Sequence, residues 1–310
     1  MATITAKAEQ ERYKGPSLWA RIKRYYWGYI FISPWVILYA VFGIYPLLLS
    51  FFLTFFNYSF VNPEQRAFVG MGNWTRGITD RLFWVSVFNI GYNQTIFILL
   101  KNGLGLAAAV LVKQARFAGR FFRTVYFMPV LTSVMVLLVI GSYLASPTGP
   151  VQSILVDIGI LDGPVFWTFT RWLPMPIIAL INTWKWFGIS FVILLAGLYS
   201  IDPQLYEAAS IDGASPRQQF LHITLPLLMP QMFFLFVVDV INGLQMFTEV
   251  FTLFNLQGGS ENQALTPVLY LYGQAFDQAN VGYASAIGLL LAALIAVVTF
   301  IQFRFFGSQE

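Results

Sequence analysis

The chain has 310 residues, of which 57% are hydrophobic and 18% aromatic but only 10% charged, where a soluble domain carries about 25% charged residues. This composition excludes a soluble globular domain and makes the chain a membrane protein. The absence of cysteine and the single histidine, His222, exclude disulfides and thiolate metal sites and leave no ligand set for zinc, so no metal is expected; the net charge of +4 suits anionic membrane lipid and gives no reason to expect nucleic acid.

Residues 1–28 are read as a cytoplasmic tail, polar and mixed in charge with no hydrophobic period. A transmembrane helix needs about 20 mostly apolar residues, and six stretches of residues 29–307 qualify: Ile30 to Phe55, Trp84 to Leu111, Tyr126 to Leu144, Met175 to Leu198, Leu227 to Phe254 and Ala284 to Phe303. The first is too long, and too far from the start, for a cleaved signal peptide and is expected to be a retained span. Pro34 and Pro46 predict a kink in it. Gly103, Gly105, Ala107 and Ala109 in the second predict close helix packing.

Orientation follows from the basic residues, which are retained on the cytoplasmic side. With the N-terminus inside, the cytoplasmic segments hold twelve of them: Lys7, Arg12, Lys14, Arg21, Lys23, Arg24, Lys113, Arg116, Arg120, Arg123, Arg217 and Arg304. The outer loops hold four, Arg66, Arg76, Arg81 and Arg171. Both termini are therefore expected in the cytoplasm. The segment Ser146 to Trp172, rich in proline and glycine, predicts turns and a short interfacial or re-entrant helix. Asn57 and Asn73 match the glycosylation acceptor pattern, which is short enough to arise by chance.

Span four opens Asn182-Thr183-Trp184-Lys185-Trp186, and span five carries Asp239, Asn242, Gln245, Thr248 and Glu249. The span-five residues recur at helical spacing, so they predict one polar stripe on a single helix, which lipid cannot solvate. Amides and hydroxyls beside Trp184 and Trp186 suit a sugar, whose hydroxyls need paired donors and acceptors and whose C–H face stacks on aromatic planes. A competing reading makes the same residues an interhelical clamp, with Lys185 or Lys101 neutralising Asp239 or Glu249.

Between these spans lies a polar island. Asp202-Pro203 and Ser215-Pro216 each place a capping side chain before a proline, which starts a helix without wasting a donor. Two short helices are expected, about Pro203 to Ile211 and Pro216 to Ile223, separated by Asp212-Gly213 where glycine takes a positive φ. No GxxxxGK[ST] phosphate loop occurs in the chain, so it does not hydrolyse ATP in the P-loop manner.

Glu207, Ala208, Ala209, Gly213, Ile223, Leu225 and Pro226 match, at the same spacing, the EAA…G…I..LP pattern, and the island resembles the cytoplasmic coupling loop of ABC importer permeases. Leu256 to Phe276, Gly282 to Ala286, Arg120 to Arg123 and Met128-Pro129 look like the carbohydrate-uptake branch with the maltose and glycerol-3-phosphate permeases. The resemblance covers about residues 28 to 307. It implies an all-α, six-span type I permease core (MetI-like) in a prokaryotic cell membrane, with a coupling loop over 202–226. It implies a heterodimer with a related permease, two ATP-binding cassette subunits that hold the ATP and magnesium, and an extracytoplasmic solute-binding protein; no cofactor is expected in this chain, and no catalytic residue. In the family Glu207 would meet basic side chains of the ATPase, with Ala208, Ala209, Asp212, Gly213, Ala214 and Pro226 shaping the contact. In maltose-type permeases the asparagine of the N-T-W run contributes to the sugar site, here Asn182; Trp186, Asn242, Gln245, Thr248 and Glu249 complete the candidate set. Three other readings stay open: an importer of a non-sugar solute, a proton-coupled transporter using Asp239 and Glu249, and a membrane enzyme with Asp239 and Lys185 as its acid–base pair.

Overall fold

A computed structural model of the chain describes residue 19, residues 23–114 and residues 119–306; most of the expected tail lies outside the described residues. The chain divides into two units between Phe52 and Leu53. The described residues of the first lie mostly in one apolar helix, α1 (Tyr26–Leu53), which ends at the first residue of the second unit and whose 28 residues give a rod of about 42 Å, long enough to cross a hydrocarbon core of about 30 Å. Pro34 lies inside it, and a wide π-turn at Ala40–Ile44 precedes Pro46.

The second unit opens on a short hairpin, β1 (Phe56–Asn57) paired antiparallel with β2 (Ala67–Phe68), a small departure from the all-helical expectation. Asn73 sits in α2 (Gly72–Thr79) and donates to the carbonyls of Thr54 and Phe56 at 2.9 and 3.0 Å; that buried amide is committed to holding the hairpin. Asp80 then caps α3 (Arg81–Gln114), accepting from Leu82 N at 2.8 Å. It also accepts from the hydroxyls of Tyr270, at 2.5 Å, and Tyr283, knotting three segments together.

Among the described residues, four helices are long and apolar enough to cross a membrane alone: α1, α3, α7 (Pro174–Ser200) and α13 (Val281–Phe306). Spans three and five are bent pairs, not the continuous helices expected over 126–144 and 227–254. Span three turns by 96° between α4 (Gly119–Phe127), its 3₁₀ extension Met128–Leu131, and α5 (Val134–Leu144). Pro129 removes one donor at the turn; the helix stops at Leu131 with Thr132 extended, and the carbonyls of Val130 and Thr132 are taken by the ammonium of Lys185, at 3.0 Å for Val130. Irregular backbone at this depth survives in protein-buried surroundings of that kind.

Span five bends by 57° between α9 (Pro216–Leu227) and α10 (Met229–Gly243). Pro230 lacks an N–H, and its ring excludes the carbonyl four residues back, so Leu228 leaves regular helical geometry at φ −88, ψ −7. The chain unwinds again over residues 244–247 before α11 (Thr248–Phe254). Outside the spans lie α6 (Pro150–Asp157), the short helix expected within 146–172, and α12 (Pro267–Tyr272).

Helices α3 and α7 cross closely because Gly105 lacks a side chain: a Cβ there would lie 2.6 Å from Ser190 Cβ. Of the four small residues expected to pack, Gly105 and Ala109 are buried, whereas Gly103 faces open space and Ala107 is exposed. Below the crossing, Phe191, Leu194, Leu198, Leu228 and Leu235 form a core toward the knob. Above it, Ile90, Met175, Ile178, Val250, Leu265 and Tyr283 form a second.

Candidate functional site

At the end of α7 the expected knob forms. Helix α8 (Pro203–Ile211) starts where the Asp202 carboxylate accepts from Gln204 N at 2.9 Å. It ends at Asp212, with Gly213 at φ +80 turning the chain. Ser215 opens α9 with a full capping box to Gln218, and α9 runs through a π-turn at Phe220–Thr224 to Leu227, past the expected end at Ile223. The two arms are tied directly: Gln219 donates to Ser210 Oγ at 2.9 Å, and the Tyr206 and Thr224 hydroxyls meet at 2.8 Å. At the base, Lys113 from α3 donates to Leu198 O at 2.9 Å and lies over the Tyr206 ring. Glu207, Ala208, Asp212, Gly213 and Pro226 are exposed, Ala209 and Ala214 half-buried. Leu205 and Ile211 add apolar surface to the knob, Ile211 at 86% exposure.

The second candidate region is a cavity of about 440 Å³ between α3, α7, α10 and α11, within the range of about 300–1,000 Å³ typical of small-molecule sites. Asn182, Trp186, Asn242, Gln245, Thr248 and Glu249 all line it. They do not form one helical stripe, because α10 stops at Gly243, whose missing Cβ leaves room for the Gln94 amide. The unwound residues 244–247 turn Gln245 and the start of α11 into the same space. Asn182 is 4% exposed; its Nδ2 donates to Glu249 Oε1 at 3.3 Å, while its Oδ1 has no hydrogen-bond partner. Trp184 departs from the expectation: two residues from Trp186 is about 200° around a helix, and it lines a separate apolar cavity beside span three.

The charges sort between the two readings of the polar residues. Asp239 is the clamp, ion-paired with Lys101 and accepting from Asn102 at 3.1 Å, with Ser190 of α7 donating to Asn102 at 2.6 Å. Lys185 neutralises neither acid by a direct bond; it is spent on the broken span three. Gly188 sits one turn further along α7, where a Cβ would collide with the Tyr126 carbonyl. An acid–base pair of Asp239 and Lys185 therefore does not form. The Lys101–Asp239 pair is one that the clamp reading offered; the Lys185 contact with the carbonyls of span three is the feature that charge-pair reasoning missed, and its signal was Pro129 at the entry to span three.

Four apolar helices and two bent helix pairs among the described residues, a polar cavity between α3, α7, α10 and α11, and a capped helical knob at the end of α7 are the features of a helical membrane permease. The family model described as the binding-protein-dependent transport system inner membrane component matches residues 101–307, and the chain belongs to that family, the membrane permeases of ABC importers. It is a transport subunit of the inner membrane and not an enzyme; ATP hydrolysis belongs to a separate subunit, and the proton-coupled and enzymatic readings fall. It is similar to the lactose transport system permease protein LacF of Rhizobium radiobacter, 32% identical over 287 residues, 91% of this chain and 95% of that protein. It is also 34% identical to the arabinooligosaccharides transport system permease protein AraP of Bacillus subtilis, over 90% of this chain and 88% of that protein. Among solved structures, a bacterial ABC transporter involved in import of the acidic polysaccharide alginate shares the fold, with a TM-score of 0.78 at 22% identity over 95% of this chain and 100% of that one.

Proposed function

We propose that this chain is the permease subunit of an ATP-driven importer that takes a sugar or oligosaccharide from an extracytoplasmic solute-binding protein and passes it inward. The observation that carries the solute class is the cavity where the amides of Asn182, Asn242 and Gln245, the Thr248 hydroxyl and the Glu249 carboxylate meet the Trp186 ring. The uncommitted Asn182 Oδ1 offers an acceptor to a sugar hydroxyl, and the indole offers a stacking plane. The similarity to permeases named for lactose and arabinooligosaccharides supports a carbohydrate over another solute.

The knob over 202–226 is the coupling loop. Glu207 would meet basic side chains of an ATP-binding subunit, with Leu205 and Ile211 supplying apolar contact and the alanines and Gly213 allowing close approach. Two such subunits hold the ATP and magnesium, a related permease completes the pathway, and both termini lie in the cytoplasm. Nucleotide then shifts the population between inward- and outward-facing states. Co-purification of the tagged chain in detergent tests the assembly: a second permease and an ATPase should travel with it, and a cognate glycan with its binding protein should stimulate ATP hydrolysis. A complex without an ATP-hydrolysing chain, or one stimulated only by non-sugar solutes, overturns the reading.

A further inference from the structure

A third cavity, of about 700 Å³, lies where α3 and α7 begin, the end that the proposed topology puts outside, and is used by nothing described so far. Its rim carries Arg81, Arg171 and Glu261, all exposed. Among the described residues the one side-chain ion pair is Lys101–Asp239, so none of these three charges is paired. Below the rim the lining turns apolar and aromatic, with Trp84, Phe88, Tyr92 and Trp172. Along α3, Phe88 lies about 10 Å and Tyr92 about 16 Å beyond Arg81, so the slot runs from the polar end of the helix toward its apolar middle.

The walls are held in unusual backbone. Trp172 sits at φ 71, and Glu261 and Asn262 at 53 and 60, a region that bulky side chains rarely occupy. The conformation is fixed from beneath: buried Asn89 donates to the carbonyls of Asn262 and Leu265 at 2.8 and 3.0 Å. Trp172 is gripped edge-on by Phe88 and Tyr92, and the Arg171 guanidinium lies over its ring at 5.2 Å. Strained residues kept in place by their surroundings mark a preformed site.

We propose that this slot binds one aminophospholipid of the outer leaflet, its phosphate between Arg81 and Arg171, its ammonium at Glu261, and its acyl chains against Trp84, Phe88 and Tyr92. Charge and polarity select that occupant. Guanidinium groups match phosphate oxygens, tryptophan belongs at the headgroup level, and the lone carboxylate on a cationic rim favours a headgroup with its own positive charge over an anionic one. A soluble anion would leave the aromatic wall unused.

The test takes the whole transporter with its partners, stripped by detergent exchange, and reads bound lipid by native mass spectrometry. The probes are phosphatidylethanolamine, phosphatidylglycerol and inorganic phosphate. Phosphatidylethanolamine should be retained above phosphatidylglycerol; the double variant Arg81→Gln/Arg171→Gln should lower its occupancy at least fivefold with the complex intact, and Glu261→Gln should erase the preference. A benzoylphenylalanine at Phe88, read in native membranes, should cross-link to phospholipid and so reports even if the double variant is unstable. Unchanged retention in an intact double variant, equal retention of phosphatidylglycerol, binding of inorganic phosphate as tight as that of lipid, or a Phe88 cross-link to another protein chain would each overturn the proposal.

Discussion

Lys101 and Asp239 face each other in the wall of the polar cavity with side chains 5% and 7% exposed, so removing one partner leaves the other a nearly buried, unpaired charge. Breaking a buried pair from one side costs about 3–5 kcal/mol. At about 2–4 °C per kcal/mol for a large domain, Lys101→Met and Asp239→Leu should each lower the unfolding midpoint by about 6–20 °C. The double variant removes both charges and leaves the Asn102 amide without its acceptor, a loss of about 1–3 kcal/mol. Apolar replacement of a buried pair gains about 1–4 kcal/mol, so the double should lie near wild type, although the singles sum to about 6–10 kcal/mol. Thermal midpoints by fluorescence-detected chromatography in detergent, read as a double-mutant cycle, measure this. Additive losses, or singles that each cost under about 1 kcal/mol, would refute the clamp and return Asp239 to the solute.

Glu207→Lys should leave membrane insertion intact but abolish uptake or detach the ATPase; normal ATP-driven uptake would remove Glu207 from the contact. Asn182→Ala should raise the apparent KM for sugar-stimulated ATPase about tenfold, the scale of one lost hydrogen bond of about 1.5 kcal/mol, and an unchanged KM would take it out of the cavity's chemistry. Lys185→Met uncovers two carbonyls at the bend of span three, at about 1–3 kcal/mol each; faster amide exchange over 128–134 should follow, with protection as in wild type the contrary result. Burial pushes the Asp80 carboxyl up, but the Tyr270 and Tyr283 hydroxyls and the backbone of Leu82 and Phe83 outweigh it and hold it below its ordinary range. A lowered folded value gives stability that is present above the unfolded value near ~3.9 and lost as pH falls through the folded one. The midpoint should therefore drop below about pH 4, and Asp80→Asn should remove that dependence.

The knob was legible because its punctuation is local: Asp202-Pro203, Asp212-Gly213 and Ser215-Pro216 state where each arm begins and ends, and α8 has the expected bounds. The bends were not, since averaged hydropathy runs through Leu228 and Thr132 unchanged; Pro129 and Pro230 were the available marks. Lys185 was sought opposite a carboxylate, whereas its partners are backbone carbonyls that no side-chain pairing rule displays. The six cavity residues came together by a route the period did not foresee, since an unwound turn, and not a continuous helix, brings Gln245 round to Asn242. Trp184 and Trp186, read as neighbours, lie on opposite sides of α7.

The hydroxyl contact between Tyr206 and Thr224 closes the two arms of the knob into a ring, with the Gln219–Ser210 bond as a second rung. A ring of this kind resists splaying of the two arms by the strength of two hydrogen bonds, about 1 kcal/mol each. Because α9 runs to Leu227 and corners by 57° into α10, a knob with the proposed coupling role would pass a displacement to the cavity as a rotation of α10 about that corner.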